Sequence, residues 1–333
     1  TEVDVTENIM RAVGNIIWNI TFGVTLEFEN PLLTRFRELQ QEALPLMGGP
    51  AMMFMETFPI FRKLDFLFGG HIKKLRELSG ETNNYLAEAM KTAELSFNPD
   101  NQPSCYIEAF LAEQKRREEA GKPMGNFHYE QMLQSAVSLW GAGFDTTVAL
   151  LRMSVLELIN HPEVQTKLQK EVDDVIGERR IRYDDQKLLP YMCAFLQEIY
   201  RKGNSLPLNF KRITTQDTKI EGHHISAGTT ILPQFSMVHA DPKEFERPDY
   251  FCPERHLDEH GQFVKDPRIT PFSVGKRACL GETLARMEIF VMFSTFLQNC
   301  NFTPVGKIPP ATQFTTGISR GVVDFHVKIQ PRN

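Results

Sequence analysis

The chain has 333 residues, of which 41% are apolar and 24% charged, with a formal net charge of -5. That is enough apolar sequence for a large buried core, and the interspersed charges, with no Lys/Arg block, exclude a nucleic-acid binder. The five cysteines (Cys105, Cys193, Cys252, Cys279, Cys300) are scattered and show no C-x-x-C pair, which argues against a disulfide framework or a zinc site and fits a reducing compartment.

The chain begins at Thr1 with no signal-peptide pattern and no apolar run long enough to cross a bilayer. It reads either as a soluble mature chain or as a piece of a longer protein. The first two thirds read as helix after helix. Val5 to Phe22 and Pro31 to about Leu46 are amphipathic, and Gly70 to about Leu95 sets Leu75, Leu78, Tyr85, Leu86 and Met90 against a charged face. Between the last two, the Met- and Phe-rich stretch from Pro45 to Phe68 is broken by glycine and proline. It reads either as a core loop or as a surface loop that dips into a membrane face or lines a substrate entrance.

The longest helical candidate runs from about Tyr129 to Asn160. Its centre breaks the rules of helix composition: Gly141 and Gly143 each cost about 1 kcal/mol against alanine, and Asp145, Thr146 and Thr147 interrupt an apolar stretch. Two explanations fit. Small residues lie against a flat cofactor with a hydroxyl and a carboxylate beside the reacting atom, or a kinked core helix uses glycine to admit a neighbouring helix. Pro162 then starts the next helix.

Glu198 and Arg201 share a helix face, a spacing that in most cases marks a solvated surface pair and by itself means nothing. The Thr- and Ile-rich runs after Lys211, with turns at Gly222 and Gly228, read as short strands and hairpins. Phe251 to Asp258 is a polar meander, and the C-terminal FTTGISRGVVDFHVKIQP reads as a final strand pair. Between these lies FSVGKRACLGETLAR, Phe272 to Arg286. Here Cys279 stands beside Lys276 and Arg277 and just ahead of a helix start, so positive charge and free helix N–H groups both favour the thiolate. Gly275 and Gly281 let a flat ligand approach the backbone. The combination suits a metal held by one thiolate.

The cysteine loop, the helix centre Ala142-Gly143-Phe144-Asp145-Thr146-Thr147, Glu198-x-x-Arg201 and Pro253-Glu254-Arg255 occur in the order of the motifs of the cytochrome P-450 superfamily. Connecting stretches such as HPEVQTKLQKEVDDVIG resemble its animal microsomal drug-metabolising branch, and the resemblance covers essentially the whole chain. It implies a mainly α fold with a small β region: a single, partial domain, helix-rich over 1–200 and mixed over 201–333, lacking the family's N-terminal helices and first sheet strands.

Carried over residue by residue, the resemblance makes Cys279 the axial thiolate ligand of the iron of haem b, whose donation favours O–O cleavage. Arg277 and Arg212 would contact the haem propionates, Phe272 would shield the sulfur, and Gly275, Gly281 and Ala142 would lie against the macrocycle. Thr146 would supply the hydroxyl next to dioxygen, and Asp145 would relay protons to it. Glu198, Arg201 and Arg255 would form a buried charge triad. The pocket would come from Ala142, Leu206, Leu208, Phe210, Gly317 and Ile318, which are mostly apolar and point to a lipophilic small molecule.

The implied function is a monooxygenase fed by NADPH-cytochrome reductase, with cytochrome b5 as a second candidate donor. Lys276 would belong to the docking surface for the acidic reductase, or be a solvated charge. The parent protein would sit peripherally or anchored at the cytoplasmic face of the endoplasmic reticulum membrane. The alternatives are a haem-thiolate isomerase or dehydratase, against which the Asp145–Thr146 pair argues, and a truncated product that binds no haem. Two departures from the family pattern stand out: His256, where an aromatic residue usually follows Pro-Glu-Arg, and Lys211, where a proline often stands.

Overall fold

In a computed structural model that describes residues 2–207, 209–309, 314 and 319–332, the chain folds as two units: Asp4–Val148 with Thr316–Ser319, and Ala149–Thr315 with Thr1–Val3 and Arg320–Asn333. The first is built from helices whose ends are set by side-chain caps. Helix α1 (Val5–Phe22) starts where the Asp4 carboxylate accepts the Thr6 N–H at 2.8 Å, and it stops at Gly23, whose φ of 76° suits glycine. Helix α2 (Pro31–Met47) starts under Asn30 in the same way. Helix α4 (His71–Ser96) is capped by Asp65, which accepts the Ile72 and Lys73 N–H groups at 3.0 Å each. Helix α5 (Tyr106–Glu119) and helix α6 (Tyr129–Asn160), as far as Val148, complete the unit.

Ile17 and Trp18 from α1, Phe36 from α2 and Trp140 and Phe144 from α6 are all buried. The four rings meet around Trp140, whose ring centroid lies 4.5 Å from Phe36, 5.7 Å from Trp18 and 5.1 Å from Phe144. A Cβ on Gly143 would fall 2.7 Å from Ile17 Cδ1. Gly143 therefore admits the neighbouring helix, the second of the two explanations left open by composition. Gly141 differs: nothing lies within 4 Å of the corresponding point.

The Met- and Phe-rich stretch forms α3 (Pro50–Thr57) followed by 3-10 turns over Pro59–Phe68. It is a surface segment rather than a core loop, because Ile60, Phe66 and Leu67 are 75%, 72% and 66% exposed. Met55 anchors it from the buried side, and Phe54 holds Phe58, Phe61 and Phe68 at 5.2, 5.1 and 5.6 Å.

The second unit contains the rest of α6, then α7 (Pro162–Val175), α8 (Pro190–Gly203), α9 (Phe235–His239) and α10 (Glu282–Asn299). Helix α8 is its centre. Its first turn is capped from α7 by Glu171, which accepts the Tyr191 and Met192 N–H groups at 2.7 and 2.9 Å. Its Phe195 stacks on Phe293 of α10 at 4.9 Å. It ends at Gly203, where a Cβ would meet Leu150 Cδ2 of α6 at 2.7 Å.

Strands β2 (Arg212–Ile213) and β5 (Thr230–Ile231) pair antiparallel around the hairpin of β3 (Thr218–Ile220) and β4 (His223–Ile225). A three-stranded antiparallel sheet runs in the order β1 (Glu2–Val3), β7 (Val327–Pro331), β6 (Cys300–Pro304). Among the described residues this corrects the expected C-terminal strand pair, since β7 pairs with β6 and β1, and Phe314 and Val322 meet in an isolated bridge. The reason is that β6 follows α10 directly and is fixed by Gln165, which bonds both backbone groups of Phe302 at 2.8 and 2.9 Å.

At the end of α6, Glu157 is 1% exposed and lies 3.4 Å from His161 Nε2 and 3.6 Å from Lys202 Nζ. The hydrogen bond to Glu157 outweighs burial and raises the His161 imidazole above its ordinary 6.5, with Glu163 adding to it.

Gly143→Ala should cost about 1–2 kcal/mol by overpacking, with Ile17→Val recovering most of it. Gly141→Ala should instead gain up to about 1 kcal/mol. Urea unfolding checks the contrast, and the same sign for both alanines would refute it. Because the folded-state value of His161 is raised, its stabilisation is present below 6.5 and lost as pH rises through the raised value. The stability gap between wild type and His161→Gln should therefore shrink as pH rises from 6.5 through the raised value; a gap independent of pH would rule out the coupling to Glu157.

Candidate functional site

The loop ahead of α10 turns back on itself through two left-handed residues, Ser273 (φ 67°) and Gly275 (φ 73°). A short 3-10 turn over Gly275–Arg277 follows. The Ala278 N–H donates to the Gly275 carbonyl at 3.0 Å, and the Cys279 N–H donates to the Phe272 carbonyl at 2.7 Å. This closure leaves the Cys279 side chain exposed, just before α10 begins at Glu282. Nothing lies within 4 Å of a Cβ built on Gly275, and only Cys279 Sγ, at 3.9 Å, lies near one built on Gly281. The loop thus presents one sulfur on a bare backbone. Among the described residues no group of three or more His, Cys, Asp or Glu could hold a metal ion. A single soft donor fits a metal that brings its other ligands with it, as the iron of haem does, and does not fit a bare ion.

Lys276 and Arg277 are exposed and pair with no carboxylate among the described residues. Arg212, on β2, reaches the loop and donates from Nη2 to Ser273 Oγ at 3.1 Å. Phe272, expected to shield the sulfur, has its ring against Tyr200 (5.7 Å between centroids) and Arg286 (4.8 Å).

The structure brings Glu198, Arg201 and Arg255 together. Arg201 forms a bidentate pair with Glu198 at 2.8 and 2.9 Å, and Arg255 Nε donates to the same carboxylate at 3.2 Å. Two further donors were not expected: the Cys252 N–H at 3.1 Å and His256 Nε2 at 2.9 Å. Since a carboxylate only accepts, His256 Nε2 carries the proton, and Gln197 Nε2 donates to Nδ1 at 3.1 Å. Glu198 is 0% and His256 2% exposed. Burial alone would raise the Glu198 carboxyl, but hydrogen bonds from Arg201 and His256 with the charges of Arg201 and Arg255 hold it at about 2.

The remaining guanidinium groups bind the meander. Arg201 donates to the carbonyls of His239 and Pro248 at 2.6 and 2.8 Å, and Arg255 to those of Glu246 and Tyr250 at 3.0 and 3.2 Å. Burial, with Arg201 nearby, pushes the His239 imidazole down to about 4. Neutral, it accepts the Thr270 N–H on Nε2 at 3.1 Å, two residues before Phe272.

On α6, in the first unit, Gly141 and Ala142 are exposed, and Asp145 and Thr146 half-buried one turn further on. The Thr146 hydroxyl donates back to the Ala142 carbonyl at 2.7 Å, which leaves its oxygen as an acceptor on this face. Of the expected pocket residues, Leu206 is half-buried and Phe210 is 61% exposed; Leu208, Gly317 and Ile318 lie outside the described residues. His256 was visible in the sequence as a polar residue where an aromatic one is usual, but its partner Glu198, 58 positions away, was not.

A family model described as Cytochrome P450 matches residues 1–329. The chain is 36% identical over 326 residues to probable cytochrome P450 CYP36A1 of Caenorhabditis elegans, covering 97% of this chain and 66% of that protein. It is 35% identical to cytochrome P450 2J5 of Mus musculus, over 97% of this chain and 63% of the relative, and 35% identical to cytochrome P450 2D6 of Homo sapiens, over 90% and 60%. The chain thus spans somewhat under two thirds of the length of these curated relatives.

Glu198→Gln strips a carboxylate from two arginines and should destabilise the chain by about 3–5 kcal/mol. With its folded-state value lowered, the Glu198 contribution is present above the ordinary 4.5 and disappears as pH falls through about 2. Denaturant titrations of wild type and variant should converge over that range; a constant gap would refute the ionic account.

Proposed function

This chain belongs to the cytochrome P450 family, and from that premise we propose that the protein is a haem-thiolate monooxygenase acting on a lipophilic small molecule, with electrons from an NADPH-dependent reductase and cytochrome b5 as a second donor. The observation that carries this reading is the Cys279 loop: one exposed sulfur on a glycine-bared backbone, with no group of three or more His, Cys, Asp or Glu among the described residues to hold a bare ion. Haem b, when bound, supplies dioxygen activation, placing one oxygen atom in the substrate and the other in water.

The chain's own residues do the rest. Cys279 gives the thiolate. Arg277, without a carboxylate partner among the described residues, and Arg212, held to the loop by Ser273, carry the positive charge that the two propionates would need. With its proton on the Ala142 carbonyl, the Thr146 oxygen accepts a hydrogen bond from a group on the open face of α6, and Asp145, one position earlier, takes up and releases protons there. By the family resemblance, Ala142, Leu206, Leu208, Phe210, Gly317 and Ile318 would supply the apolar surface that binds substrate and excludes water.

The protein works at the cytoplasmic face of the endoplasmic reticulum membrane. Support comes from exposed Ile60, Phe66 and Leu67, a surface suited to a bilayer interface; no described helix is long and apolar enough to cross a membrane. Lys276, exposed and without a carboxylate partner among the described residues, offers the acidic reductase a cation three positions before the cysteine.

Expressed with a haem precursor, reduced and treated with carbon monoxide, the chain should show the red-shifted Soret band of a thiolate ligand, and Cys279→Ser should lose it. A spectrum without haem, or the shorter-wavelength band in the unaltered chain, would overturn the reading. Lys276→Glu should slow reduction by the reductase several-fold, roughly, at low salt with the spectrum unchanged; an unchanged rate removes the docking role.

A further inference from the structure

We propose that Arg286 is the positioning residue of the cysteine loop, its guanidinium clamped between Phe272 and Tyr200 so that the Phe272 carbonyl is held where the Cys279 N–H binds it. The guanidinium carbon lies 4.8 Å from each ring centroid, and the two rings meet edge to face at 5.7 Å. Tyr200 is buried in α8, on the same rigid helix as Glu198 and Arg201. Arg286 sits in the second turn of α10, with Nε donating to Glu282 at 2.9 Å. The cation therefore joins two helices to the first residue of the loop.

The loop needs such a clamp because Ser273, next to Phe272, adopts φ 67°. A non-glycine residue persists there only when its surroundings over-determine it. One side is held by Arg212 on Ser273 Oγ, and the Phe272 ring under Arg286 holds the other. The guanidinium is the required chemistry: its broad, delocalised charge reaches two rings inclined at 64°, whereas a lysine ammonium is a compact, strongly hydrated point charge. Arg286, Phe272, Ser273 and Glu282 also border an open cavity of about 230 Å3, so nothing else fills the space if the clamp is lost. The competing account is that Arg286 serves only α10, through its pair with Glu282.

Hydrogen exchange at the Cys279 amide in the intact chain separates the two, since that amide is the donor to Phe272. Arg286→Lys keeps the charge and the reach to Glu282 but loses its delocalised spread. It should speed exchange at Cys279 by about tenfold while α7 amides remain protected. Glu282→Gln should leave the Cys279 rate within about twofold. Phe272→Leu should match Arg286→Lys, and the double variant should be no faster than either. A wild-type rate in Arg286→Lys, an equal effect of Glu282→Gln, or additive effects in the double variant would each overturn the clamp.

The consequence for iron ligation rests on the reading of Cys279 given above: the haem-loaded Arg286→Lys chain should show more of the shorter-wavelength carbon monoxide band. A changed exchange rate with no thiolate band in the unaltered chain would sink the monooxygenase reading and leave the clamp. A thiolate band with unchanged exchange would do the reverse.

Discussion

The buried carboxylate of Glu198 is the constraint on which the second unit depends. Taking an ion out of water costs several kcal/mol, and Glu198 offsets this by accepting from Arg201, Arg255, His256 and the Cys252 backbone. Those donors come from α8 and from the meander after α9, so the charge cluster specifies how the segment ahead of the cysteine loop lies on the helix. The meander has little regular structure of its own, so its backbone carbonyls are held by side chains rather than by a helix or sheet. The same two guanidinium groups hold those of His239, Glu246, Pro248 and Tyr250. One ionic cluster therefore does two things: it pairs the buried charge and ties the backbone of the meander to α8.

From that anchored segment, order passes to the cysteine. His239, whose carbonyl binds Arg201, is kept neutral by burial and takes the Thr270 N–H. Phe272 then meets Arg286 and Tyr200, and Ser273 meets Arg212. The outcome is an irregular loop held rigid by cations, with its sulfur exposed. A thiolate ligand needs this combination, because a mobile cysteine would exchange its partner and a buried one could not reach a cofactor.

The first unit uses different physics for the glycine- and polar-rich centre of α6. Gly143 meets Ile17 where no side chain fits, while Gly141 and Ala142 leave backbone bare on the open face. Thr146 ties its proton to the helix at Ala142. The same few residues thus serve helix packing on one side and presentation of polar groups on the other, which accounts for a helix centre so poor in helix-forming residues.

The sequence alone determined the helices Val5–Phe22 and Tyr129–Asn160, the hairpins after Lys211, the cysteine loop and the membership of Glu198, Arg201 and Arg255 in one cluster. Helix and turn signals are local, carried by caps, periodicity and glycines, and the motifs bring their partners through the family resemblance. Only the tertiary structure decided that His256 joins the cluster, that Gly143 faces a helix, that β7 pairs with β6 and that Arg286 grips Phe272. Each of these is a contact between residues distant in the chain or on different elements. Its existence depends on which faces the packed core turns toward each other, and no local pattern of residues encodes that choice.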